Sequence, residues 1–156
     1  MGITEEFSSD PTHQMLKMAV ADDIWDVIMV GINFVNQSAL RTGFPTALEK
    51  NLGIQIMFAV RRQLVSPDRL KVLVGELSRG GIIDPVNLDS RDSLVEFLLQ
   101  AGVAESLTDA AYRFCAHVVG SQVVLNGTGN VDHMRLNAAS LSRPPLPEEV
   151  LERLGR

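Results

Sequence analysis

Ser121–Asn137, SQVVLNGTGNVDHMRLN, gathers residue types that bind phosphate. The apolar run Val123–Leu125 leads into Gly127-Thr128-Gly129-Asn130. A helix-like segment follows, with Asp132 in its first turn and Asn137 further in. Strand, glycine loop and helix in that order aim free backbone N–H groups and the positive end of a helix dipole above the strand. The chemistry this predicts is the holding of a phosphorylated cofactor. His133 stands one turn into the helix, where a phosphate would lie; an ordinary surface histidine is the other reading. GTGN is neither G-x-G-x-x-G nor a Walker loop, so a plain tight strand-to-helix turn competes with the phosphate reading.

Arg61-Arg62 follows directly on the apolar run Gly53–Val60. Parallel sheets place their ligands at the carboxyl ends of strands. Two guanidinium groups there either meet a pyrophosphate or pair with a neighbouring helix. The other reactive side chains read as structural. No His, Cys or carboxylate set stands at metal-ligand spacing, so no metal site is expected; Cys115 and His117 diverge on one helix. Ser8, Ser9, Ser38, Ser90 and Ser93 lack the nucleophile-elbow pattern and suit caps or turns. Asp22-Asp23, Asp26 and Glu148-Glu149 read as solvated surface. Tyr112 is spaced for packing against Cys115 and Val119, and Cys115 for burial as a small hydrophobe. No catalytic residue emerges.

The elements that must position these groups alternate. Strand-length apolar runs cover Asp26–Asn33, Gly53–Val60 and Gln122–Leu125. The first is nearly continuous, as in a strand covered on both faces. Helical patterns cover Pro11–Ala21 (cap Asp10), Phe44–Asn51, Pro67–Arg79 (cap Ser66), Ser93–Gln100, Thr108–Val119 (cap Thr108) and Pro147–Leu154. Gly80–Arg91 is the main irregular stretch. Alternation of this kind predicts an α/β fold with a parallel sheet.

With 156 residues, 46% of them hydrophobic and 21% charged, the chain is expected to form one domain over 1–156. A net charge of -5 and no basic block argue against nucleic acid and anionic membranes as partners. No apolar run reaches a membrane span and no signal peptide is visible. With a single cysteine, the expectation is a soluble cytoplasmic protein.

Taken together, the segments resemble the C-terminal half of an aldo-keto reductase. Gly2-Ile3-Thr4-Glu5 is similar to the family's G-I-S-(N/E) at the end of its fifth barrel strand. Trp25–Asn33 resembles the sixth strand, with Asn36-Gln37-Ser38-Ala39 after it, and Gly53–Val60 the seventh. Leu107–Val119 resembles the helix before the last strand. Val124–Asn137 resembles the eighth strand with its cofactor loop and helix, and Leu146–Leu154 the closing helix.

The resemblance implies a partial (β/α)8 barrel, from the end of strand five to strand eight, where a whole barrel takes roughly 250 residues. It implies NADP as cofactor and NADPH-dependent carbonyl reduction as the family's activity. The family's catalytic Asp, Tyr, Lys and His lie at the ends of strands two to four, so a chain beginning at strand five is expected to be truncated and inactive alone. Position by position, Gly127, Thr128, Gly129, Asn130, His133 and Asn137 fall on contacts to the 2′-phosphate and adenine. Met57 falls where many members stack an aromatic on nicotinamide, and Met29 on an amide-binding glutamine. Leu136 replaces a usually acidic residue, and Thr4-Glu5 the commoner Ser-Asn. Partners implied are a missing N-terminal half or self-association. A non-catalytic nucleotide-binding protein or a self-associating half-barrel is the alternative.

Overall fold

A computed structural model describes residues 1–6, 9–10, 12–81, 93–100 and 102–155. Four strands, β1 (Gly2–Thr4), β2 (Val27–Gly31), β3 (Gly53–Met57) and β4 (Ser121–Val124), form one sheet in the order β1-β2-β3-β4, every neighbouring pair parallel. The helices are α1 (Gln14–Ala21), α2 (Ser38–Thr42), α3 (Phe44–Glu49), α4 (Pro67–Arg79), α5 (Ser93–Leu98), α6 (Leu107–Ala116), α7 (Val131–Leu141) and α8 (Glu148–Leu154). A short 3₁₀ turn covers Arg62–Val65. The alternation therefore yields the expected α/β fold with a parallel sheet. The irregular stretch expected over 80–91 falls largely outside the described residues, as do Ser8, Pro11 and Ser90.

Branched side chains on one face of the central strands, Ile28, Val30, Ile54 and Ile56, are fully buried. They meet Leu16 and Val20 of α1, Phe44 and Ala47 of α3, and Ala110, Ala111 and Phe114 of α6 in one core. The other face differs from expectation. Val27, Met29, Gln55 and Met57 are only half-buried, Thr4 and Val123 are exposed, and none of them joins that core. The Thr4 hydroxyl lies 3.8 Å from Met29 Sδ, which puts both on this second face. An apolar run cannot say whether both its faces are covered within the same chain. Register slips between β3 and β4, where Ile54 pairs with Ser121 but Gln55 with Val123. The side chain of the skipped Gln122 fills the gap, its Oε1 accepting Ile54 N–H at 2.5 Å.

Local chemistry sets the helix ends. For α4 the sequence bounds hold at both: Pro67 opens the helix and Arg79 closes it, while Ser66 is extended at the N-cap position but makes no side-chain cap hydrogen bond. The cap of α6 is Ser106 rather than Thr108. Its Oγ accepts Asp109 N–H at 3.0 Å while the Asp109 carboxylate accepts Glu105 N–H at 3.1 Å, a reciprocal lock Thr108 lacks. Asp10 does serve α1, taking the N–H groups of Gln14 (2.9 Å) and Met15 (2.6 Å). The described helix begins only at Gln14, because His13 sits before it with φ of 58°. α2 is too short for its periodicity to show in the sequence.

His13 is drawn into that backbone conformation by its side chain. It is fully buried, with Nδ1 against the Glu5 carboxylate and Nε2 2.7 Å from Ser38 Oγ. Glu5 also accepts Gly31 N–H at 3.0 Å. One buried cluster thus ties the segments after β1 and β2 to the starts of α1 and α2.

Candidate functional site

At the carboxyl ends of β3 and β4 a cleft of about 820 Å³ opens, the size range of small-molecule and cofactor sites. β3 delivers Phe58, Arg61 and Arg62 to it, and α4 adds Arg69. The loop after β4 delivers Gly127 and Thr128, and α7 delivers His133, Leu136 and Asn137. Five of the eight residues assigned to cofactor contact therefore line one cavity: Arg61, Gly127, Thr128, His133 and Asn137. Gly129 and Asn130 lie just beyond its lining. Met57 ends β3 opposite Gly31, with its side chain on the open face of the sheet rather than in the cleft.

The start of α7 is built differently from a bare helix end. Asn130 Oδ1 accepts the N–H groups of Asp132 (2.8 Å) and His133 (3.1 Å). Thr128 Oγ1 accepts Asn130 N–H at 3.2 Å. Three of the backbone donors that the sequence leaves free, the N–H groups of Asn130, Asp132 and His133, are thus self-capped. Positive charge at the cleft comes from the side chains of Arg61, Arg62 and Arg69. At Gly127 and Gly129 an added Cβ meets nothing within 4 Å, so these glycines answer no steric need inside the chain and leave the loop surface bare toward the cleft.

Phe58 marks the β3 side. A bulky residue at positive φ is an outlier in an ordinary loop, and Phe58 has φ of 63°. The Arg61 guanidinium lies 4.6 Å from its ring centroid, a cation–π contact that holds Arg61 at the cleft. Arg69 Nη1 reaches Arg62 O at 3.4 Å. Arg143 also lines the cavity but is occupied internally, at 2.6 Å from Glu105 and 2.9 Å from Asp109.

Asn126 holds two of the side chains that line the cleft. Its Oδ1 accepts from Tyr112 OH and from Asn137 Nδ2, each at 3.0 Å. Burial, and then the neighbouring Cys115, raises the Tyr112 phenol above its ordinary 10.0. Tyr112 is accordingly a donor that fixes a loop, in keeping with its packing role. Sequence reading missed Asn126, Phe58 and Arg69. Only the Asn-Gly step at 126–127 carries a local sign, a turn signal. Among the described residues no group of three His, Cys, Asp or Glu is placed to hold a metal, and no helix is long and apolar enough to cross a membrane.

No protein-family model and no curated protein matches the sequence. Solved structures match the fold. The holo form of aldo-keto reductase AKR11C1 from Bacillus halodurans superposes with a TM-score of 0.64 at 18% identity, over 99% of this chain and 48% of that one. Its apo form gives 0.65 at 16% identity, over 99% and 49%. The fold is half of an aldo-keto reductase barrel. The chain spans about half the length of the structures it matches, and at these identities the likeness is one of fold. Within that aldo-keto reductase fold, the cleft belongs to the last two strands of the sheet.

Proposed function

We propose that the chain is the cofactor-binding half of an NADPH-dependent aldo-keto reductase. The observation that carries this reading is the cleft itself, which joins Arg61, Arg62 and Arg69 with Thr128 and His133 at the carboxyl ends of two parallel strands. Guanidinium, imidazole and hydroxyl donors form a set suited to the phosphates of a dinucleotide, and the cavity has the volume for a large part of one. The residues therefore fit the group. Bound NADPH would supply a hydride. The side chains named here would bind and orient it: Thr128 and His133 at the 2′-phosphate, Arg61 and Arg62 at the pyrophosphate, and Asn137, held by Asn126, at the adenine end.

The Tyr112 hydroxyl is buried and committed to Asn126, so this reading gives it no part as a general acid. The acid and base that reduction needs belong to the strands that the resemblance places in the other half of the barrel. The chain alone should bind NADPH and turn over no carbonyl substrate.

Titration with NADPH, followed by its fluorescence, tests this. Saturable binding is expected, and Thr128→Ala and His133→Ala should weaken NADPH more than NADH. Absence of binding at millimolar cofactor would overturn the reading. Aldehyde-dependent consumption of NADPH by the purified chain would overturn the assignment of acid and base to another half.

A further inference from the structure

Asn33 lies outside the lining of the cleft, yet its side chain reaches the residue that turns the chain into it. It follows β2 and is 7% exposed. Its Oδ1 accepts the N–H groups of Val35 (3.0 Å) and Asn36 (2.9 Å), and its own N–H donates to Asn36 O at 3.1 Å. Two donors on the oxygen leave one assignment of the amide, with the nitrogen pointing away from the turn. That nitrogen donates to Phe58 O at 3.3 Å. One residue earlier, Ile32 N–H donates to Met57 O at 3.1 Å.

The two peptides that flank the Phe58 Cα are thus both anchored to the segment after β2. Such anchoring accounts for a bulky residue at φ of 63°, a conformation that persists only where its surroundings impose it. What the strained backbone delivers is a ring. Phe58 stays 36% exposed at the cleft and carries the Arg61 guanidinium 4.6 Å from its centroid. A guanidinium already resting on an aromatic face has less rotamer freedom to lose when an anion arrives.

We propose that Asn33 is a positioning residue for the cleft: it fixes the backbone of Phe58, and through the Phe58 ring it presents Arg61 to the pyrophosphate of a bound dinucleotide. The identity of the ligand rests on the cofactor reading above; the connection from Asn33 through Phe58 to Arg61 does not.

Asn33→Asp keeps an acceptor for Val35 and Asn36 N–H and removes only the donor to Phe58 O. Phe58→Leu removes the ring from a partly exposed position, so it tests the connection even if Asn33→Asp fails to fold. Without ligand, NMR of the labelled chain should show Arg61 side-chain protons shifted upfield by the Phe58 ring, and the shift should disappear in both variants. A folded Asn33→Asp chain that keeps the shift would overturn the proposal. By calorimetry, inorganic pyrophosphate and NADPH should each bind the variants about tenfold more weakly than the unmodified chain. Adenosine 2′-phosphate, assigned to Thr128 and His133, should bind all three chains alike. Equal weakening of that ligand would make Asn33 a general support of the fold and overturn the positioning role. Unchanged pyrophosphate affinity in the variants, or none in the unmodified chain, would overturn it as well. The cofactor reading fails separately: an unmodified chain that binds pyrophosphate but not NADPH would remove that reading and leave the role of Asn33 standing.

Discussion

Asn126 and Asn137 are joined amide to amide, Asn137 Nδ2 donating to Asn126 Oδ1 at 3.0 Å, and the Tyr112 hydroxyl donates to that same oxygen. One acceptor thereby binds α6 and α7 to the loop after β4. Asn126→Ala leaves two largely buried donors without their partner and should cost about 1–3 kcal/mol. Tyr112→Phe removes one donor but leaves the amide pair, so its cost should be smaller, about 1 kcal/mol. Urea denaturation of the two variants checks the order. NADPH affinity should follow it, because Asn137 loses its orientation only in the first.

Arg113 is a buried guanidinium with a different duty. It is 7% exposed and donates to the carbonyls of Val103, Pro144 (2.9 Å) and Pro145 (3.0 Å). Lysine keeps the charge but cannot reach three carbonyls from one planar fork. Arg113→Lys should destabilise by about 3 kcal/mol or more, measured as a lowered Tm.

Acid should weaken the same region. Burial works against ionisation of Asp109, yet hydrogen bonds from Ser140, from Glu105 N–H and from Arg143 outweigh it and hold the carboxyl below its ordinary 3.8. A folded-state value below the unfolded one contributes stability that is complete above 3.8 and is lost as pH falls through the folded value. Stability of the unmodified chain should therefore drop in that acid range. Asp109→Asn should be less stable at neutral pH and show a shallower acid slope, retaining the part due to Asp10 and Asp23, which are also held low. Urea titrations from neutral pH to pH 2 measure both slopes.

Cys115 should be silent to thiol reagents. Burial pushes its pKa up to about 12, and its Sγ sits 3.6 Å from Ile32 O. At pH 8 almost no thiolate exists, and none is accessible. Ellman's reagent should react with one thiol per chain in urea and with none in its absence.

Much of this architecture is visible in the residues. β2 and β3 announce themselves as compact apolar runs, and α4 states both its ends because Ser66-Pro67 and Arg79-Gly80 are strong local signals. The cap of α6 is displaced by two residues, from Thr108 to Ser106, since both carry hydroxyls and only the Asp109 carboxylate decides between them. The loop from Gly127 is legible as part of the cleft lining because strand, glycine step and helix follow one another locally. Phe58 and Arg69 are not, because their part in the cleft comes from a backbone twist and from a helix brought alongside. The open face escapes notice for a related reason. Apolar side chains record that a surface is meant to be covered, without recording by what.

The reach of Arg113 also sets an order of events during synthesis. Two of its acceptors lie 31 and 32 residues further along the chain, and Gln37 Nε2 donates to Leu154 O, 117 residues on. Translation at about 5–20 residues per second separates Gln37 from that partner by roughly 6–25 seconds. Within this interval β3 is made well before β4 and lacks that neighbour until it follows, and Arg113 then waits a further 31 and 32 residues for two of its carbonyls. The nascent chain thus exposes an unfinished parallel sheet for seconds, which makes this stage, rather than the finished fold, the one at which a chaperone has most to protect.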